Sequence, residues 1–144
     1  MIRRGTGRPM LRVESLMALD KNAKIMIVDD YRTMLRILRN LLRQLDFHNV
    51  EEASDGGEAL RKLRGADYNL IISDWNMQPV TGLELLQTVR SDDKLKHIPF
   101  IMVTAESKID NVLAAKSAGV NNYIVKPFTA EILKAKMASV LGQA

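Results

Sequence analysis

The chain has 144 residues, 47% of them apolar and 26% charged, enough for one domain to bury a core without disulfides or a structural metal. It has no cysteine, which excludes thiol chemistry and thiolate metal sites, and no apolar run approaches the roughly 18 residues of a membrane span, so a soluble protein without membrane insertion is expected. The formal charge of +4 gathers at the start, where Arg3, Arg4, Arg8 and Arg12 stand against Glu14; the near-neutral remainder argues against a nucleic-acid-binding body.

Residues 1–22 carry Gly5, Gly7 and Pro9, show no sustained periodicity and lack the apolar core of a secretory signal. They read as an N-terminal extension: a disordered basic arm, a remnant of expression, or upstream sequence read through before Met17. Residues 23–144 form the folded unit. Its first apolar run, Lys24 to Val28, ends in Asp29-Asp30 and predicts a buried strand. From Tyr31 to Leu45, apolar residues at Met34, Leu38, Leu41, Leu42 and Leu45 predict a helix, with Thr33 a candidate cap for its first turn. Arg32, Arg36, Arg39 and Arg43 share the opposite face, where solvation and docking of an acidic partner both fit.

Asn49 to Ala53 predicts a weak strand whose charges suit a sheet edge, and Ser54-Asp55-Gly56-Gly57 turns into a helix from Glu58 to about Arg64. Asn69 to Ser73, with Leu70-Ile71-Ile72 at its centre, predicts a strand buried on both faces and closed by Asp74. A helix from about Gly82 to Arg90 follows, with Leu83, Leu86 and Val89 inward. The fourth strand, Pro99 to Val103, runs into Thr104-Ala105 and then a helix from Lys108 to Ala118, poor in large apolar residues, with Val112 and Leu113 as anchors and a loose docking expected. Gly119 suits a left-handed stop. The fifth strand, Tyr123 to Val125, stops at Lys126-Pro127, and Thr129 caps a last helix to about Leu141 with Leu133, Met137, Val140 and Leu141 inward. Five strand and helix alternations predict a parallel α/β sheet with helices on both faces, and the chain ends too soon after the last helix for a second domain.

Open parallel sheets bind ligands at the carboxyl ends of their strands, and that edge collects Asp29, Asp30, Asp74, Thr104 and Lys126. Like charges about 4 Å apart repel by roughly 4 kcal/mol at an effective dielectric near 20, so either the carboxyl pKa values rise or a cation sits among them. Acids alone fit a solvated strand end equally well. With oxygen donors only, Mg²⁺ suits a site made of Asp30 and Asp74, Asp29 directly or through water, the Asn76 carbonyl and waters. Lys126 brings an ammonium to the same edge, which makes sense where an anion is handled. A carboxylate facing metal, amine and hydroxyl can accept a phosphoryl group, with Asp74 as nucleophile.

In Ile27-Val28-Asp29-Asp30, Ser73-Asp74-Trp75-Asn76-Met77, Gly82-Leu83-Glu84-Leu85-Leu86, Met102-Val103-Thr104-Ala105-Glu106 and Tyr123-Ile124-Val125-Lys126-Pro127-Phe128-Thr129, the chain resembles response-regulator receiver domains, in particular the single-domain chemotaxis regulators. The match covers about Lys24 to the end. It implies a flavodoxin-like (βα)5 fold with sheet order 2-1-3-4-5. Asp74 corresponds to the phosphoacceptor charged by a chemotaxis-type histidine kinase, Asp29, Asp30 and the Asn76 carbonyl to the Mg²⁺ site, Thr104 and Tyr123 to the switch pair, and Lys126 to the phosphate-binding lysine. Asn76 and Glu106 correspond to positions that tune dephosphorylation, and the bond before Pro127 is expected to be cis.

The resemblance further implies a cytoplasmic, monomeric signalling protein, not an enzyme in the ordinary sense, that binds a flagellar motor switch protein. The face for that partner would comprise Lys108, Val112, Lys116, Tyr123, Phe128 and Lys136, with Phe128 equally placed for the core. A phosphatase or a histidine phosphotransfer protein is a further expected partner, and a phosphate sink or relay that never touches a motor is the alternative role. One loop departs from the family: Gln78 stands where proline is usual, Pro79 follows it, and Thr81-Gly82 replaces aspartate-glycine. A flavin carrier of the same architecture would need a phosphate-binding loop where this chain has Asp29-Asp30-Tyr31, and a DNA-binding regulator would need an output domain. His48 and His97 read as surface residues.

Overall fold

The computed structural model describes residues 20–105 and 109–141. Elements run β1 (Ile25–Val28), α1 (Arg32–Gln44), β2 (Val50–Ala53), α2 (Gly56–Arg64), β3 (Leu70–Asp74), α3 (Gly82–Ser91), β4 (Phe100–Thr104), α4 (Ile109–Ser117), β5 (Asn122–Val125) and α5 (Ala130–Leu141). The strands form one parallel sheet in the order β2-β1-β3-β4-β5, as expected.

Alternation along the strands divides the core in two. Ile25, Ile27, Leu70, Ile72, Ile101, Val103 and Ile124 meet Leu35, Leu38 and Leu42 of α1 and Leu133, Met137 and Val140 of α5. Met26, Val28, Ile71, Phe100 and Met102 face Ala59 and Leu63 of α2 and Leu85, Leu86 and Val89 of α3. Each fully buried Leu, Ile, Phe or Met contributes about 1.5–3 kcal/mol, so β1, β3 and β4, buried at every position, form the rigid centre. The edge strand β2 alternates Val50 and Ala53 inward with Glu51 exposed and Glu52 half-buried against Arg39, whose Nε donates to it at 2.7 Å.

Several local expectations are corrected. Thr33 does not cap α1; Tyr31 occupies the cap position without a side-chain hydrogen bond, and the buried stripe is Leu35, Leu38 and Leu42, with Met34, Leu41 and Leu45 at its margin. In α2 the helix starts two residues earlier, at Gly56, because Asp55 Oδ1 accepts the Glu58 N–H at 2.8 Å. In α3 the inward residues are Leu85, Leu86 and Val89, while Leu83 is only half-buried. Leu113 is no anchor of α4: it is 55% exposed, and Ala115 is buried in its place.

Other expectations hold. Gly119 closes α4 at φ +95° and Thr129 Oγ1 accepts the Ile132 N–H at 3.2 Å; a reciprocal Thr81 and Glu84 cap at the start of α3 comes in addition. The Lys126-Pro127 bond is cis, and so is Gln78-Pro79. Arg90 was not foreseen as a fastener. Its guanidinium donates to the carbonyls of Gly119 (2.9 Å), Lys96 (3.1 Å) and Ile98 (2.7 Å) and to Asn121 Oδ1 (2.8 Å), and burial lowers its pKa from the ordinary value.

Candidate functional site

Register brings the site together. Val28 pairs with Ser73, so the residue after each, Asp29 and Asp74, leave adjacent strands at one level, and Thr104 pairs with Val125, which puts Lys126 just past the edge. The Lys126 N–H donates to the Thr104 carbonyl at 2.7 Å and fixes the chain there. Oxygen atoms of Asp29, Asp30 and Asp74 lie within 4.8 Å of one another. Asp29 and Asp74 are buried at 1% and 5% exposure, whereas Asp30 is exposed. Lys126 Nζ donates to Asp74 Oδ1 at 2.8 Å and stands 3.8 Å from Asp29 Oδ2.

Asp29 shows the electrostatic cost of this packing. Its Oδ1 accepts the Tyr31 N–H at 2.9 Å, but its Oδ2 is buried with no hydrogen-bond partner. Burial pushes its pKa from 3.8 up to about 6, the Tyr31 N–H and Lys126 pull the other way, and the Asp74 and Asp30 charges add to the rise. An orphaned carboxylate oxygen beside two more carboxylates, with no nitrogen or sulfur donor among them, fits a hard divalent cation such as Mg²⁺. The residues that would hold it are Asp29, Asp30 and Asp74, with the carbonyl of Asn76, an exposed residue two positions past Asp74.

Thr104 and Tyr123 are brought together one layer below. Met102 pairs with Tyr123 in register, so Thr104 and Tyr123 share a sheet face. They line a slot with Trp75, Met102, Asn111, Val112 and Ala115. Sequence reading singled out neither Trp75 nor Asn111 here; the available signal was Trp75 standing directly after the acid. Tyr123 is half-buried beneath Lys136, whose Nζ lies 5.3 Å from the ring centroid and 3.2 Å from Asn122 Oδ1.

Of the remaining expected residues, Val112 is half-buried and Lys116 exposed on α4, while Phe128 packs half-buried against the α1 and α5 core, the alternative its position allowed. Glu106 and Lys108 lie outside the described residues, as do residues 1–19 of the extension. His48 and His97 are both exposed. Among the described residues no helix is long and apolar enough to cross a membrane.

A family model described as the response regulator receiver domain matches residues 25–138. Chemotaxis protein CheY-3 of Vibrio cholerae is 51% identical over 122 residues, 85% of this chain and 94% of that protein. Chemotaxis protein CheY of Pseudomonas aeruginosa is 52% identical over 117 residues, 81% of this chain and 94% of that protein. Among solved structures, that of the chemotaxis protein CheY4 of Vibrio cholerae aligns with a TM-score of 0.79 at 35% identity, covering 83% of this chain and 99% of that one.

Proposed function

The chain belongs to the response regulator receiver domain family and is of the chemotaxis CheY type, and from that premise we propose that Asp74 accepts a phosphoryl group from a histidine kinase and that the phosphorylated form binds a flagellar motor switch protein. The observation that carries this reading is Asp74 itself. It is a nearly buried carboxylate at a central strand end, bonded to an ammonium at 2.8 Å and crowded by two further acids within 4.8 Å.

Asp74 is held for attack by β3, so one of its oxygens meets phosphorus with little reorganisation. As the new oxygen–phosphorus bond forms, the nitrogen–phosphorus bond of the phosphohistidine breaks and its electrons return to the ring. Lys126 then exchanges its contact with the Asp74 carboxylate for the incoming phosphoryl oxygens, whose charge it offsets. Mg²⁺, when bound by Asp29, Asp30, Asp74 and the Asn76 carbonyl, supplies further charge neutralisation on the same oxygens. Asn76 and Glu106, two positions past Asp74 and Thr104, orient the water that later removes the group.

Phosphorylation adds dianionic charge and acceptor oxygens at the head of the Thr104 and Tyr123 slot. Thr104 turns its hydroxyl toward them, and Tyr123 rotates into the slot, which alters the face made by α4, β5 and α5. That face presents Val112, Lys116, Tyr123 and Lys136 to the partner. A monomeric, cytoplasmic receiver unit spanning 23–144 completes this reading.

Incubation with a small acyl-phosphate donor and Mg²⁺ should add one phosphoryl group to the intact protein and none to Asp74→Asn, read by mass spectrometry. A folded wild-type protein that gains no mass would sink the proposal. Beryllofluoride in place of phosphate should raise affinity for a motor switch peptide. Unchanged affinity with normal phosphorylation would turn the reading to a phosphate sink or relay.

A further inference from the structure

The loop between β3 and α3 carries Asn76, so whatever seats this loop places the carbonyl proposed as a metal ligand. Its base is closed by Gly82, whose N–H donates to the Trp75 carbonyl at 2.9 Å in a space where any Cβ would overlap the Asp74 carbonyl oxygen. Met77, 2% exposed, plugs its middle into the core under α2 and α3. The outer end is seated on a different element. Val80 rests on the bare backbone of Gly56, the first residue of α2: a Cβ there would lie 2.6 Å from Val80 Cγ1 and 2.8 Å from Val80 Cβ. Carbon atoms do not approach so closely.

The two sides of this contact differ in how far they can yield. Valine is stiff at χ1 and cannot swing its methyls aside freely. The start of α2 is locked by two reciprocal bonds, Glu58 N–H to Asp55 Oδ1 at 2.8 Å and Ser54 N–H to Glu58 Oε1 at 2.6 Å. The loop, with Asn76, Gln78 and Pro79 exposed, is the side that gives.

We propose that the Gly56–Val80 contact is a positioning device for the acceptor loop: α2, which donates no residue to the acidic cluster, sets where the Asn76 carbonyl sits and thereby tunes metal affinity. This rests on the reading of Asp29, Asp30, Asp74 and Asn76 as the Mg²⁺ site. Neither Gly56 nor Val80 touches a reacting group, and both act through the loop.

The test is a Mg²⁺ titration of the folded protein, followed by emission of Trp75, the single tryptophan, which adjoins Asp74. Gly56→Ala should weaken Mg²⁺ binding about tenfold, the usual scale for losing a support behind a metal ligand. Moving the methyl across the contact, in Gly56→Ala with Val80→Ala, should restore affinity to within about threefold of the unaltered protein. Gly65→Ala, at the far end of α2, is the control: a Cβ there meets only the Lys62 and Arg61 carbonyl oxygens, at 3.6 and 3.7 Å, and affinity should stay unchanged. A purely structural role would lower melting temperature in Gly56→Ala yet leave Mg²⁺ affinity alone, and that result overturns the proposal, as does a double variant no better than Gly56→Ala. Should Gly56→Ala fail to fold, Val80→Leu crowds the same contact from the loop side and must weaken binding in its place. If the unaltered protein ignores Mg²⁺, the metal reading falls separately. The positioning claim is then decided by the Asn76 and Met77 amide resonances, which must move in Gly56→Ala and return in the double variant.

Discussion

The helices α3 and α4, which line one groove together, are nearly the same length and differ in how firmly they are held. α3 begins with a reciprocal Thr81 and Glu84 cap, buries Leu85, Leu86 and Val89, and is fastened in its last turn by Arg90 with its four acceptors. α4 leaves Leu113 in solvent, buries Ala115, and roofs a slot rather than a filled core. The difference teaches a division of labour: the side that fixes the acceptor loop is packed against change, and the side that would report phosphorylation is packed to permit it.

Core truncation gives the largest contrast. Leu86→Ala should cost about 3 kcal/mol in denaturant unfolding, because it empties a fully buried site, whereas Leu113→Ala should stay within about 0.5 kcal/mol. Equal losses would erase the asymmetry. Next comes the proton at Asp29. Its pKa in the folded protein, about 6, lies above the ordinary 3.8, so between those values the folded state binds more protons than the unfolded one. Stability of the metal-free protein should therefore fall as pH rises through that window, by on the order of 3 kcal/mol, and Asp29→Asn should flatten the slope. Added Mg²⁺ should offset the loss above the window by favouring the charged form.

A smaller effect is expected at the α3 cap, where Thr81→Ala removes the bond to the Glu84 N–H and should cost about 1 kcal/mol. Smallest in energy but direct in meaning is hydrogen exchange: amides of α4 should exchange faster than those of α3. Equal protection would remove the permissive side of the comparison.

The strands, their order and the acidic edge were legible in the sequence because apolar runs ending in carboxylates leave little choice of orientation, and ordered motifs fixed the rest. Helix faces were less legible. Leu35 and Leu85 each adjoin a residue that also fits an apolar stripe, Met34 and Leu86, and a shift of one position rotates a helix by about 100°. Leu113 was misjudged because composition marks an apolar residue without saying whether a partner surface exists; here Ala115, and not Leu113, is the α4 residue turned to the sheet. Arg90 and the Gly56–Val80 contact were invisible for a simpler reason. Both join segments far apart in the chain, and nothing local marks a guanidinium that bonds carbonyls or a glycine kept bare for a valine.

Arg90 also sets the geometry of motion. By grasping the Gly119 carbonyl and Asn121, it moors the chain just beyond the carboxyl end of α4 to the last turn of α3. Any displacement of α4 must then either carry this mooring along or strain its bonds.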